Sequence, residues 1–140
     1  MTKAKKVTAI MLFVVCVFML TTTLPCYASN DIVITPRWNN VSSVYTSLLF
    51  YGNIGEATAS IDRGNSVTSL EGTLTIYEYD NGEWVYVDSI TKSTTRTTLN
   101  MLLEFDGTSG VEYKLELVVT AYSGTTVMEE ITDTKYATCP

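Results

Sequence analysis

The sequence predicts an all-β fold, an antiparallel sandwich of two sheets with about seven strands. Three observations carry that reading. Beyond residue 28, threonine, valine, tyrosine and isoleucine dominate, residues that suit a pleated, half-buried surface. Turn signals recur every 8 to 15 residues: Gly52-Asn53, Gly64-Asn65, Asp80-Asn81-Gly82, Gly107-Thr108-Ser109-Gly110 and Ser123-Gly124. No segment there has the period of an amphipathic helix.

The first strand runs from Ser43 to Tyr51, with Val44, Thr46, Leu48 and Phe50 on one face. Ala57, Ala59 and Ile61 mark a second, whose small residues allow a facing sheet to come close. Leu70, Gly72, Leu74 and Ile76 alternate with Glu71, Thr73, Thr75 and Tyr77 in a third. Asp80-Asn81-Gly82 is a hairpin turn, because Asn-Gly accepts the positive φ angles of type I′. It leads into a fourth strand, Trp84 to Ile90. Val85 and Val87 share a face there, and Ile90 breaks the period, which predicts a bulge. Thr97, Leu99, Met101 and Leu103 form the fifth strand. Tyr113, Leu115, Leu117 and Val119 form the sixth, opposite Glu112, Lys114 and Glu116. Val127 to Ile131 is the last and most polar, hence an edge strand carrying an acidic, solvated rim of Glu129, Glu130 and Asp133.

Ahead of these elements lies an address. Lys3, Lys5 and Lys6 precede an apolar run, Val7 to Leu20, broken only by Thr8. Cys26-Tyr27-Ala28 places small residues at positions −3 and −1 of a cut after Ala28. Residues 1–28 therefore read as a secretory signal peptide, too short in its apolar run for a bilayer span of roughly 20 residues. Residues 29–42 follow as an extended segment and 43–140 as a single sandwich domain. Contact with the membrane is expected only through the transient leader. The chain is expected to be secreted; no lipobox or sortase signal speaks for retention at the cell surface, which stays open. Cleavage removes three of nine basic residues and no carboxylate, leaving 6 against 15, a net charge of −9. Cys16 and Cys26 leave too, so Cys139 stands alone near a frayed end. A disulfide-linked dimer through it is the weaker alternative to an incidental thiol.

The passage Gly110-Val111-Glu112-Tyr113-Lys114-Leu115-Glu116-Leu117 resembles the loop-to-strand passage of fibronectin type III and immunoglobulin-like sandwiches. In those folds a tyrosine at the start of the sixth strand bonds back to the preceding loop. Ile34-Thr35-Pro36-Arg37-Trp38, Asn40-Val41-Ser42-Ser43, Gly72-Thr73-Leu74-Thr75-Ile76 and Trp84 with Val87 extend the pattern. Together they resemble small exported immunoglobulin-like proteins of Gram-positive bacteria. The resemblance implies a fold and a compartment; its motifs are structural and imply no activity. It also sets Trp84 in the core.

Chemistry is sharply limited by composition. The chain has no histidine, which removes the Ser-His-Asp and Cys-His triads and the commonest zinc sites. A sequence pI near 4.5 argues against nucleic-acid binding, which needs a dense basic surface. Glu78, Asp80, Glu83 and Asp88 crowd one hairpin, whereas catalytic carboxylate pairs face each other across a cleft; they read as solvated charges. Asp80-Asn81-Gly82-Glu83 and Asp106-Gly107 offer oxygen ligands without the spaced series of a calcium loop, so neither a metal nor a cofactor is expected.

Aromatic residues carry the binding reading. Tyr45, Tyr51, Tyr77, Tyr79 and Tyr86 fall on outward positions. Tyr77 and Tyr79 share a face, and the hairpin brings Trp84 and Tyr86 beside them. Such a group can stack on sugar rings or dock a protein; ordinary cross-strand pairing is the competing explanation. The sequence thus points to a secreted non-enzymatic domain that contacts a protein or cell-envelope partner. A carbohydrate-binding module using Tyr77, Tyr79, Trp84 and Tyr86 is the alternative.

Overall fold

A computed structural model describes residues 38–140, which form seven antiparallel strands and no helix. Residues 1–28, read from the sequence as a signal peptide, and most of the segment after them lie outside the described residues. The strands are β1 (Val41–Tyr51), β2 (Ile54–Arg63), β3 (Ser69–Asp80), β4 (Glu83–Thr94), β5 (Thr98–Asp106), β6 (Glu112–Ser123) and β7 (Thr126–Thr138). They make two sheets, one ordered β1-β2-β5 and the other β4-β3-β6-β7. This is the immunoglobulin- and fibronectin-III-like sandwich that the strand pattern predicts, with the fourth strand paired to the third in the larger sheet.

Period-two patterning places the core between the sheets. Ala57, Ala59 and Ile61 of β2 and Leu99, Met101 and Phe105 of β5 face Leu70, Leu74 and Ile76 of β3 and the buried series Tyr113 to Ala121 of β6. The small residues let the layers close. A Cβ on Gly55 would run into the Phe105 ring, so any larger residue there would displace that ring. Phe50, Phe105 and Tyr113 stack at this end, with ring centroids 5.2–5.7 Å apart.

The hairpins obey their turn residues. Asn81 and Gly82 take φ of 50° and 93°, the type I′ turn expected of Asn-Gly. The tyrosine corner is present as well: the Tyr113 hydroxyl accepts the Thr108 backbone N–H at 2.9 Å.

The bulge expected in β4 is present, at Val87, the residue without a partner between the pairs Ile76–Asp88 and Tyr77–Tyr86. Four expectations need correction. Trp84 is not a core residue; it pairs with Tyr79 on the outward face. The last strand runs on to Thr138, beyond Ile131, and Cys139 is no frayed end. Its N–H donates to the Val111 carbonyl at 3.0 Å, its carbonyl accepts from Gly110 at 2.9 Å, and the residue is 1% exposed. A disulfide through it would require this closure to open. Finally, the acidic rim of β7 is only partly solvated. Glu129 accepts the backbone N–H groups of Asn39 and Asn40 at 3.1 and 2.8 Å, and Asp133 accepts the buried Thr46 hydroxyl of β1. These carboxylates face inward on an edge strand and tie the two sheets together. Residues 38–42 thereby join the sandwich, with Val41 buried and Trp38 packed on the core.

Candidate functional site

Strand register decides which aromatic side chains meet. On β3 the inward series ends at Ile76, so Tyr77 and Tyr79 turn to the outer face of the four-stranded sheet. The bulge at Val87 keeps Tyr86 and Trp84 in phase with them, opposite Tyr77 and Tyr79 respectively. On β6, Lys114 pairs with Tyr77 on one side and with Tyr136 of β7 on the other. All four residues expected in the site therefore come together, joined by two that the sequence reading missed, Lys114 and Tyr136.

The arrangement is a cluster rather than a row. Tyr79 and Trp84 have ring centroids 5.1 Å apart, and Trp84 and Tyr136 lie at 5.6 Å although they come from opposite edge strands. They meet across the two central strands above the stem of Lys114. Its ammonium sits 4.1 Å from the Tyr77 ring centre and 5.4 Å from that of Trp84. Glu116 completes the ion pair with Lys114 at 3.6 Å and accepts the Tyr77 hydroxyl at 3.5 Å. Burial, followed by the negative charge of Glu116, holds the Tyr77 phenol above the ordinary tyrosine range.

Neighbouring planes are inclined by 48° to 84°, so the rings do not form one flat platform. Tyr77 and Trp84 are half-buried by the cluster itself, whereas Tyr79, Tyr86 and Tyr136 remain exposed. Lys114 supplies a cation shielded by rings and already engaged by Glu116. Such a surface can present apolar ring area and phenolic hydroxyls to a partner.

The hairpin carboxylates do not converge on a substrate position. Glu78 turns inward, where it accepts the Tyr113 hydroxyl at 3.4 Å, while Asp80, Glu83 and Asp88 are exposed. At the other end of the same sheet, Ser69, Glu71, Ser93, Arg96 and Tyr122 line an open groove of about 460 Å³. It lies six to eight residues along β3 from the aromatic cluster, about 20 Å or more at the rise of a strand, and so is a separate feature.

Lys114 was hidden in the sequence by its place between two inward residues, where a lysine reads as a solvated charge. Tyr136 lies in a run without apolar alternation. The available signal was Tyr136 itself, an aromatic residue in the segment that follows the acidic rim.

No family model and no curated protein matches this chain. Among solved structures it is similar to OgpA from Akkermansia muciniphila, at 12% identity and a TM-score of 0.44, over 72% of this chain and 28% of that one. It is also similar to the sporulation control protein Spo0M from Bacillus subtilis, at 13% identity and a TM-score of 0.38, over 72% of this chain and 49% of that one. A third is a protein from Archaeoglobus fulgidus, at 15% identity and a TM-score of 0.37, covering 70% and 96%. The chain spans less than a third of OgpA and about half of Spo0M. At these values the similarities assign neither family nor activity.

Proposed function

We propose that this chain is an exported, non-enzymatic binding domain that engages a protein or cell-envelope partner through the aromatic end of its four-stranded sheet. The observation behind this reading is the clustering of Tyr79, Tyr86 and Tyr136 as exposed rings around Trp84 and Lys114. Tyrosine and tryptophan offer large rigid contact area with a polar tip and are enriched in interfaces. Export, the signal peptide and the kinship with small exported proteins of Gram-positive bacteria belong to the same proposal. They rest on the basic, apolar and small-residue order of residues 1–28 and on the strand motifs.

A glycan ligand is the second reading, favoured by the same rings because sugars stack on aromatic faces. The mutual tilt of the rings disfavours flat crystalline polysaccharide and leaves single, flexible chains as the better fit. Co-sedimentation with purified cell walls and with amorphous, non-crystalline insoluble polysaccharides, beside a Tyr79→Ala/Tyr136→Ala variant, separates these readings. Parent protein pelleting with polysaccharide while the variant stays in solution supports the glycan. Pelleting with whole walls but not with polysaccharide supports an envelope protein. Equal behaviour of parent and variant in every case removes the aromatic face as the contact surface.

A further inference from the structure

The outer face of the three-stranded sheet combines apolar and acidic side chains in a way that the aromatic site does not. Register places Leu49, Glu56 and Glu104 side by side across β1, β2 and β5, and Tyr51, Ile54 and Asp106 in the next row. Leu49, Tyr51 and Ile54 are 49%, 63% and 53% exposed, and Leu102 of β5 stands 48% exposed beside Glu104. Among the described residues, no outward position of β1, β2 or β5 carries lysine or arginine, and none of these three carboxylates forms an ion pair. The outer face of the four-stranded sheet does carry a cation, Lys114, paired with Glu116 within the aromatic cluster.

Contiguous exposed apolar side chains on a sheet face mark a place of contact. Charge decides what fits. A second copy docked face to face would bring Glu56, Glu104 and Asp106 of both partners into one contact with no cation to meet them, which is unfavourable. An apolar partner would strip water from the same three carboxylates without compensation. A segment that interleaves lysine or arginine with apolar side chains satisfies both. Its cations meet the carboxylates, and its apolar residues cover Leu49, Ile54 and Leu102. We infer that this face docks a basic, amphipathic segment of a protein partner, at a site separate from the aromatic cluster.

Isothermal titration of the purified protein with a synthetic lysine–leucine peptide tests the inference, with a lysine–serine peptide of equal charge as comparator. The parent should bind the lysine–leucine peptide at least tenfold more tightly than the comparator. Glu56→Gln/Glu104→Gln/Asp106→Asn should weaken it at least tenfold, as should Leu49→Ser/Leu102→Ser. Glu71→Gln/Glu112→Gln/Glu130→Gln removes three exposed carboxylates from the other sheet and should change affinity by less than twofold. The Tyr79→Ala/Tyr136→Ala variant should also keep full affinity, which separates this site from the aromatic one. Circular dichroism shows that each variant is folded. Absent binding, equal binding of the two peptides, or equal loss in the two triple variants would overturn the inference, the last because net charge alone would then explain it.

Discussion

The Lys114 ammonium stands 4.1 Å from the centre of the Tyr77 ring, and the carboxylate that pairs with the ammonium also receives the Tyr77 hydroxyl. Cation, ring and carboxylate thus close a small circuit on the outside of the sheet. The circuit fixes Tyr77 and the Lys114 stem, and the exposed rings of Tyr79 and Tyr136 border it. Its rigidity limits the side-chain entropy that a binding event must remove.

The circuit should be visible in an alkaline titration. Tyr77 is raised by burial first and by Glu116 second. Because the neutral phenol is favoured in the folded protein, its contribution to stability is complete below the ordinary tyrosine pKa. It disappears as pH rises through the higher folded-state value. Glu116→Gln should move the Tyr77 phenolate transition, identified in the ultraviolet spectrum by its loss in Tyr77→Phe, to lower pH. A titration curve identical to the parent's would remove Glu116 as a cause.

Tyr113→Phe keeps the buried ring and deletes only the oxygen that accepts from Thr108 and donates to Glu78. The loss should be about 1–2 kcal/mol, read as a lower urea midpoint with unchanged slope. An unchanged midpoint would mean that the corner hydrogen bond contributes nothing net.

Asp62 gives the acid side its own signature. Its carboxylate accepts the Thr98 hydroxyl at 2.6 Å and the Ser43 hydroxyl at 2.8 Å, which hold it below the usual aspartate range. The depressed pKa stabilises the fold above the unfolded-state value, and that contribution is lost as pH falls through the folded-state one. Thr98→Val/Ser43→Ala should therefore be less stable than the parent at neutral pH, and the difference should shrink in acid. A difference that stays constant down to the lowest pH would reject the linkage.

Cys139 provides a test of the chain's last turn. Its sulfur lies 3.8 Å from the Gly52 carbonyl oxygen and is shielded by the Gly107 backbone. Labelling by an aromatic disulfide reagent should be at least about a hundredfold slower than in denaturant. That factor corresponds to an opening cost of about 3 kcal/mol at 1.4 kcal/mol per tenfold. Labelling at the denatured rate under native conditions would show that the end is loose.

The alternation of Leu70 to Ile76 and of Tyr113 to Val119 made the central strands legible, because both lie under a facing sheet and need an apolar residue at every second position. Asn81-Gly82 and Tyr113 were readable for a different reason: each performs a local task that few residues can do. Edge strands were harder. Trp84 was placed inside on the strength of the family resemblance, yet its alternation with Val85 already assigned it the opposite face. In β7 the inward positions are filled by Glu129, Asp133 and Lys135 as well as Ile131, so no apolar period betrays residues 132–138. Contacts made by charge across the sheets leave no pattern along one strand, and that is why Tyr136 and the burial of Cys139 went unread.

The ties from Glu129 and Asp133 make the first strand and the last strand neighbours. Synthesis runs in one direction, so Asn39, Asn40 and Thr46 wait for these carboxylates until β7 has left the ribosome. Until then β6 lacks its second neighbour, and the rings at one end of the core lack the cover of Cys139. Contacts so distant in sequence form slowly. Hairpins such as β1–β2 and β3–β4 close locally, whereas the seam between the two sheets along β1 and β7 joins residues almost ninety positions apart and is the late step of folding.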